Sequence, residues 1–258
     1  MNISLYSDLH TEFFEDRPPW TPDDVGCDVL VLAGDIVTSP KALTEYISRI
    51  RAEWGRPVPI VYTMGNHEYY GQEFHSARKA YLLRSSIPNF HPLDRGTVEI
   101  DGVVFAGATL WTDFRNGADL ELAVFSMNDY QRIKNAVTEW NWNPIDAWEQ
   151  FKLSLDFLHD VVAAQWGKPL VMVTHHAPSF QSCDKSFHDT RLNGCYASAL
   201  DYYIQEWKPR LWLHGHVHTT NNYRIGDTTI MSNARGYDMV GDRSYLNPHF
   251  NPEILVTL

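Results

Sequence analysis

Leu211-Trp212-Leu213-His214-Gly215-His216-Val217-His218 is an apolar run that passes directly into three alternating histidines. Residues two apart on an extended backbone point to the same face. An extended chain here aligns His214, His216 and His218, and imidazole is the commonest metal-binding side chain. A buried strand ending in such a row points to a metal site whose other ligands lie elsewhere in the chain. A histidine-rich exposed turn is the competing reading, and this stretch alone does not separate the two.

The same arrangement recurs upstream. Leu170–Thr174 is apolar and ends in His175-His176-Ala177-Pro178. Val58–Thr63 ends in Gly65-Asn66-His67-Glu68, and Asp28–Ala33 ends in Gly34-Asp35. Asn2–Asp8 runs into Asp8-Leu9-His10. Continuous apolar runs of this length fit strands buried on both faces. Helical patterns separate them. One has Ser39 as N-cap, Pro40 at its first position and Gly55 at its end. A second spans roughly 72–84, and a third starts at Asn143-Pro144 and stops at Gly167. A fourth runs from about Tyr196 to Trp207. Strand–helix alternation predicts an α/β architecture with functional residues at strand ends. Asp101-Gly102 and Gly226-Asp227 each mark a hairpin, and Glu253–Leu258 reads as a final strand. Residues 111–142, rich in Trp, Asn and Asp, read either as an insertion covering the face where the strands end or as an ordinary surface excursion. The simplest organisation is one domain over residues 1–258.

Composition narrows the function classes. The chain has 258 residues and a net charge of −11, which argues against a surface for extended duplex nucleic acid. That charge leaves room for a small phosphorylated substrate, because carboxylates that bind divalent cations are counted in it. Three scattered cysteines make neither a disulfide framework nor a C-x-x-C site. No stretch approaches the ~20 apolar residues that cross a membrane. No secretory signal is visible, so the expected location is the cytoplasm.

Asp-x-His, Gly-Asp, Gly-Asn-His-Glu, a later strand-end histidine and Gly-His-x-His, in that order, resemble the calcineurin-like metallophosphoesterases. All of these blocks are present between Asp8 and His218. The resemblance implies a four-layer α/β/β/α sandwich, two mixed sheets flanked by helices. It also implies two metal ions about 3.5–4 Å apart. Carried over block by block, Asp8, His10 and His218 hold one ion, and Asp35 bridges both. Asn66, His175 and His216 complete the second site. His67 is the proton donor or transition-state stabiliser, and Glu68 orients the loop. His176 is the alternative to His175, and His214 falls to the packed strand or to a supporting position. Imidazoles mixed with oxygen ligands suit Mn, Fe, Zn, Co or Ni better than Ca or Mg.

The implied activity is hydrolysis of small-molecule phosphate mono- or diesters by in-line attack of a metal-bound hydroxide. A nuclease or cyclic-nucleotide phosphodiesterase acting on short nucleotides shares every ligand. An inactive scaffold is disfavoured because no ligand is missing. Protein Ser/Thr phosphatases of the superfamily carry an arginine soon after the bridging aspartate. Gly34–Pro40 has none, which argues against a phosphoprotein substrate. Asn66, Arg235 and His188 are candidate substrate contacts. Trp111–Phe114 and Met127-Asn128-Asp129-Tyr130 resemble a group of small bacterial and phage metallophosphoesterases. The oligomeric state is not legible in the sequence.

Overall fold

The five-residue run Asn2–Tyr6 forms β1, and its neighbour Val29–Ala33, buried at every position, forms β2. The structure, a computed structural model, describes residues 1–14, 17–135, 141–164, 167–184, 191–239 and 242–258. Helix α1, Pro40–Trp54, begins and ends as its punctuation predicts. The Ser39 side chain accepts from the Ala42 N–H, and Gly55 closes the helix with φ 63°. Strand β3, Ile60–Thr63, precedes helix α2, Phe74–Leu82. This helix starts two residues later than its pattern suggested. Gln72 and Phe74 are tied by backbone bonds to Lys134, and Glu73 serves as the cap.

Strand β4, Phe90–Leu93, was not foreseen, because Pro92 interrupts the strand pattern. It pairs parallel to β3 at the edge of its sheet, where a missing N–H costs least. Then follow the hairpin β5, Gly96–Ile100, and β6, Val103–Ala108. Two short helices, α3 (Leu120–Ser126) and α4 (Asp129–Arg132), lead to the long helix α5, Pro144–Ala164. Strand β7, Leu170–Thr174, is followed by α6, Asp201–Trp207. The expected start of α6 at Tyr196 fails because Tyr196 O accepts from Ala177 N–H, and Ser198 and Leu200 N–H donate to Ala177 O and Pro178 O instead. Strand β8, Leu211–His214, the hairpin β9 (Thr220–Ile225) and β10 (Thr228–Asn233), and β11 (Val256–Thr257) complete the chain.

The strands form two mixed sheets, ordered β11-β1-β2-β3-β4 and β5-β6-β7-β8-β10-β9. Strands β1 to β4 run parallel, as do β6, β7, β8 and β10. Apolar side chains of both sheets belong to one continuous core that also takes in the faces of α1, α2, α5 and α6. A Ser7–Ala234 bridge joins the sheets where β1 and β10 end. Parallel strands put their C-terminal ends on one edge, so the five motif-bearing loops meet there.

Candidate metal centre and active site

Beyond the last strand residue the backbone stops being extended. Asp8, His10, Asp35, His216 and His218 all have positive φ, between 47° and 70°. The alternating-face expectation for His214, His216 and His218 is therefore corrected. Only His214 lies on β8, and its side chain is buried away from the others. Its Nε2 accepts from the Ser182 hydroxyl at 2.8 Å, and its Nδ1–H donates to Gly215 O at 2.9 Å.

The remaining candidates form two donor clusters. In the first, His10 Nε2 faces His218 Nε2 at 3.2 Å, and His218 Nε2 lies 3.3 Å from Asp8 Oδ1. In the second, three acceptors surround His175 Nε2: Asn66 Oδ1 at 3.0 Å, His216 Nδ1 at 3.2 Å and Asp35 Oδ1 at 3.4 Å. Asp35 stands between the clusters, with Oδ2 3.8 Å from His10 Nε2. The clusters Asp8–His10–His218 and Asp35–His175–His216 each have the dimensions of a metal-ion site.

Buried backbone and carboxylate partners fix the rings. His175 donates Nδ1–H to Ala33 O at 2.9 Å, so its other nitrogen faces the cluster. His10 and His67 both donate Nδ1–H to Glu12 Oε1, at 3.2 and 2.9 Å. Metal-binding imidazoles are commonly oriented through their second nitrogen in this way. Glu12 also forms a geometric group with His10 and His67, but hydrogen bonds already account for those distances. His176 is held apart, with its Nδ1 3.2 Å from Thr109 O and its ring against Trp111.

The donor chemistry fits divalent cations. Lone pairs converge in both clusters with few protons to separate them, and His216 Nε2 is buried without a hydrogen-bond partner. From the protein groups alone, burial disfavours charge on His175, yet Asp35 and Asp8 push its pKa up to about 10. The same contest raises His67 to about 8, with Asp35 and Glu12 outweighing burial. Asp35 is held well below the usual carboxylate range by the histidines around it, against its burial. Such a cluster favours positive charge.

Glu68 holds the Asp35 loop. Its carboxylate accepts from the N–H groups of Asp35 and Gly65 at 2.9 and 2.7 Å, and from Ile36 and Val37 at 2.8 and 3.3 Å. Burial and the Asp35 charge push its pKa up to about 7.

A cavity of about 590 Å³ opens onto the clusters. Its lining includes Asn66, His67, Tyr70, Met127, Tyr196 and Tyr237. Sequence reasoning overlooked Tyr237, whose ring lies 4.4 Å from His10 and 4.6 Å from His218. It also overlooked Glu12, and it gave Asp129 no role beyond its place in the Met127–Tyr130 block. The only signal for Glu12 is its place two residues after His10. Arg235 does not line the cavity, which corrects its candidacy as a phosphate contact. Beyond β10 the backbone runs beside Ser7 and Asp8, and the guanidinium packs over Phe14 and Trp20 and pairs with Asp238 at 2.5 Å. His188 lies outside the described residues.

The family model for calcineurin-like phosphoesterases matches residues 1–220. The chain belongs to that family. An uncharacterized protein of Acanthamoeba polyphaga mimivirus, L509, is 27% identical over 282 residues, covering 96% of this chain and 95% of its own. Among solved structures, the phosphopantetheinyl hydrolase of Mycobacterium tuberculosis is similar with a TM-score of 0.68 and 16% identity. That match covers 92% of this chain and 89% of the hydrolase. The protein TT1561 of Thermus thermophilus matches with a TM-score of 0.53 and 13% identity, over 90% and 88% of the two chains. At these identities the structural likeness establishes the fold. The protein is thus a metallophosphoesterase, a phosphoric ester hydrolase of a family that uses divalent metals. No helix among the described residues is long and apolar enough to cross a membrane.

Proposed function

We propose that the protein hydrolyses small-molecule phosphate mono- or diesters with two divalent transition-metal ions, of Mn, Fe, Zn, Co or Ni. Asp8, His10 and His218 would hold one ion; Asn66, His175 and His216 would hold the other. Asp35 would bridge them. The observation that carries this reading is Asp35 itself, whose two oxygens face two separate donor clusters. Bound ions would supply positive charge to the phosphoryl oxygens and acidify water toward neutrality.

The protein's own groups supply the rest. His67 anchors Nδ1–H on Glu12, leaving Nε2 to carry a proton toward the leaving oxygen. It borders the cavity, where Tyr70 and Tyr237 flank it at ring distances of 4.2 and 5.9 Å. These aromatic walls suit an organic leaving group, and the net charge of −11 disfavours an extended duplex. We also read the described part of the 111–142 insertion as walling the cavity, supported by Ser126, Met127 and Asn128, which line it.

The test compares p-nitrophenyl phosphate with its bis ester across Mn²⁺, Fe²⁺, Zn²⁺ and Ni²⁺, alongside metal stoichiometry. Near two equivalents and turnover of at least one ester support the reading. Asp35→Ala and His67→Ala should each remove most activity. A metal-loaded protein that cleaves neither ester overturns it. A phosphopantetheinyl ester belongs in the substrate panel, as the substrate class named for the Mycobacterium tuberculosis protein.

A further inference from the structure

We propose that Asp129 is a positioning residue that keeps the Asn66 carboxamide oxygen turned toward the His175–His216 cluster, with Tyr70 holding Asp129 in turn. The proposal rests on Asn66 being a metal ligand, as above. A carboxamide has one acceptor end and one donor end of nearly equal shape. Only the oxygen end can coordinate a cation, so something must choose between the two orientations.

Asp129 makes that choice. Its Oδ1 accepts from Asn66 Nδ2 at 2.8 Å and from the Tyr70 hydroxyl at 2.7 Å. The Asn66 Nδ2 also donates to the Tyr70 oxygen at 3.2 Å. A flipped amide would set Asn66 Oδ1 against the Asp129 carboxylate, acceptor against acceptor, and turn an N–H toward the cation site. Asp129 is buried, so water cannot relieve that conflict.

The backbone keeps Asp129 at this distance. The 132–134 segment is strapped to 71–74: Gly71 N–H donates to Arg132 O, Lys134 N–H to Gln72 O and Phe74 N–H to Lys134 O, at 2.8, 2.9 and 3.1 Å. The Arg132 guanidinium lies 5.4 Å from the Tyr70 ring. The Tyr70 ring also lies tilted against His67, 4.2 Å between centroids. One hydrogen-bonded group therefore supports both a candidate ligand and the candidate proton donor. Ser126–Asn128, immediately before Asp129, line the cavity. A single short segment thus both shapes the substrate space and orients the Asn66 amide.

The experiment uses the full chain and Mn²⁺ alone, with wild type, Asp129→Ala, Asp129→Asn and Tyr70→Phe. Equilibrium dialysis should show two equivalents in the wild type. In Asp129→Ala one of them should weaken about 10- to 100-fold, the range for lost ligand-orienting partners. Asp129→Asn retains one acceptor and should recover part of that loss. Tyr70→Phe should show the smallest effect.

A second readout needs no metal. The Asn66 side-chain amide protons, assigned by their disappearance in Asn66→Asp, should exchange with D₂O about tenfold or more faster in Asp129→Ala. If Asp129→Ala proves unstable, Asp129→Asn and Tyr70→Phe carry both measurements. Two wild-type affinities in Asp129→Ala, or unchanged amide exchange, overturn the proposal. A wild type that binds no ion overturns the dinuclear reading, and amide exchange then reports separately on the Asp129 bond.

Discussion

Replacing Glu68 by Gln isolates the support of the Asp35 loop, because the shape is kept and only acceptors are lost. In the wild type each Glu68 oxygen accepts two buried backbone N–H groups. A glutamine presents one oxygen and one NH₂, so whichever way it turns, two N–H groups meet a donor. The cheaper loss is the Ile36–Val37 side, where the Val37 bond is already long at 3.3 Å. Hydrogen bonds to a charged group contribute about 1.5–3 kcal/mol each, and a buried unsatisfied N–H costs a similar amount. With one strong and one weak bond lost, the destabilisation comes to about 3–4 kcal/mol. At roughly 2 cal/mol/K of unfolding entropy per residue, 258 residues give a slope near 0.5 kcal/mol per degree. The expected fall in Tm is therefore about 6–8 °C by calorimetry at about pH 8.5, above the Glu68 pKa of about 7, where the carboxylate is charged. The same change loosens Asp35, and misplacement on the order of 1 Å is enough for about a 10²-fold loss in kcat/KM. A Glu68→Gln protein melting within about 1 °C of wild type, with kcat/KM within about twofold, would refute the claim that Glu68 holds the loop.

Other consequences are as direct. Gly65→Ala should abolish most turnover and cost about 1–3 kcal/mol in denaturant unfolding, because a Cβ there would overlap Asp35 Oδ1 and His175. Glu12→Ala should lower kcat about 10- to 100-fold, since it removes the carboxylate oxygen that accepts from both His10 and His67. A kcat within about twofold of wild type counts against that role. Asp238 opposes Arg235 and Arg17, which outweigh its burial and hold its pKa below the ordinary range. Its contribution is thus present above the unfolded pKa of about 3.9 and lost as pH falls through the lower folded value. The stability gap between wild type and Asp238→Asn should stay level from about pH 7 to 5, at no more than about 1 kcal/mol given the partly exposed Arg17, and close below about pH 4. A gap that widens in acid contradicts the assignment. Chelation should remove phosphoester hydrolysis and lower Tm, with both restored by metal; activity that survives exhaustive chelation contradicts the metal requirement.

The sequence shows the frame of this protein better than it shows the site's supports. Runs such as Val29–Ala33 and Leu170–Thr174 announce buried strands, because nothing polar interrupts them. Ser39, Pro40 and Gly55 mark helix ends by local chemistry that needs no tertiary partner. Strand β4 escapes because Pro92 is tolerated only at a sheet edge, and edges are a property of the assembled sheet. Asp129 and Asn66 lie 63 residues apart, and no local pattern links them. Tyr237 and Arg235 show the converse. Both follow β10, and it is the path of the backbone beside Ser7 and Asp8 that sends the ring to the clusters and the guanidinium to Asp238.

The left-handed backbone at Asp8, His10, Asp35, His216 and His218 bears on when the site is assembled. Each such residue costs about 1–2 kcal/mol relative to ordinary backbone, though Asp and His are among the side chains that tolerate it best. Cation binding need not be what holds these turns, because backbone bonds within the protein already do. Asp8 N–H donates to Gly34 O, His10 N–H to Asp35 O and Thr11 N–H to Ile36 O, all at 3.0 Å. Gly215 N–H donates to His175 O at 3.0 Å, and His216 N–H reaches the Asp8 carboxylate at 3.1 Å. The loops of β1, β2, β7 and β8 thus hold one another, and the strain is met by the folding of the sheets. Gly34, at φ 85°, and Gly65 leave out the Cβ atoms that would collide with His175 and Asp35. The protein's own hydrogen bonds therefore contribute to the shape of the donor clusters. Binding energy is then available to hold the cation rather than to order the loops, as preorganisation of a site requires.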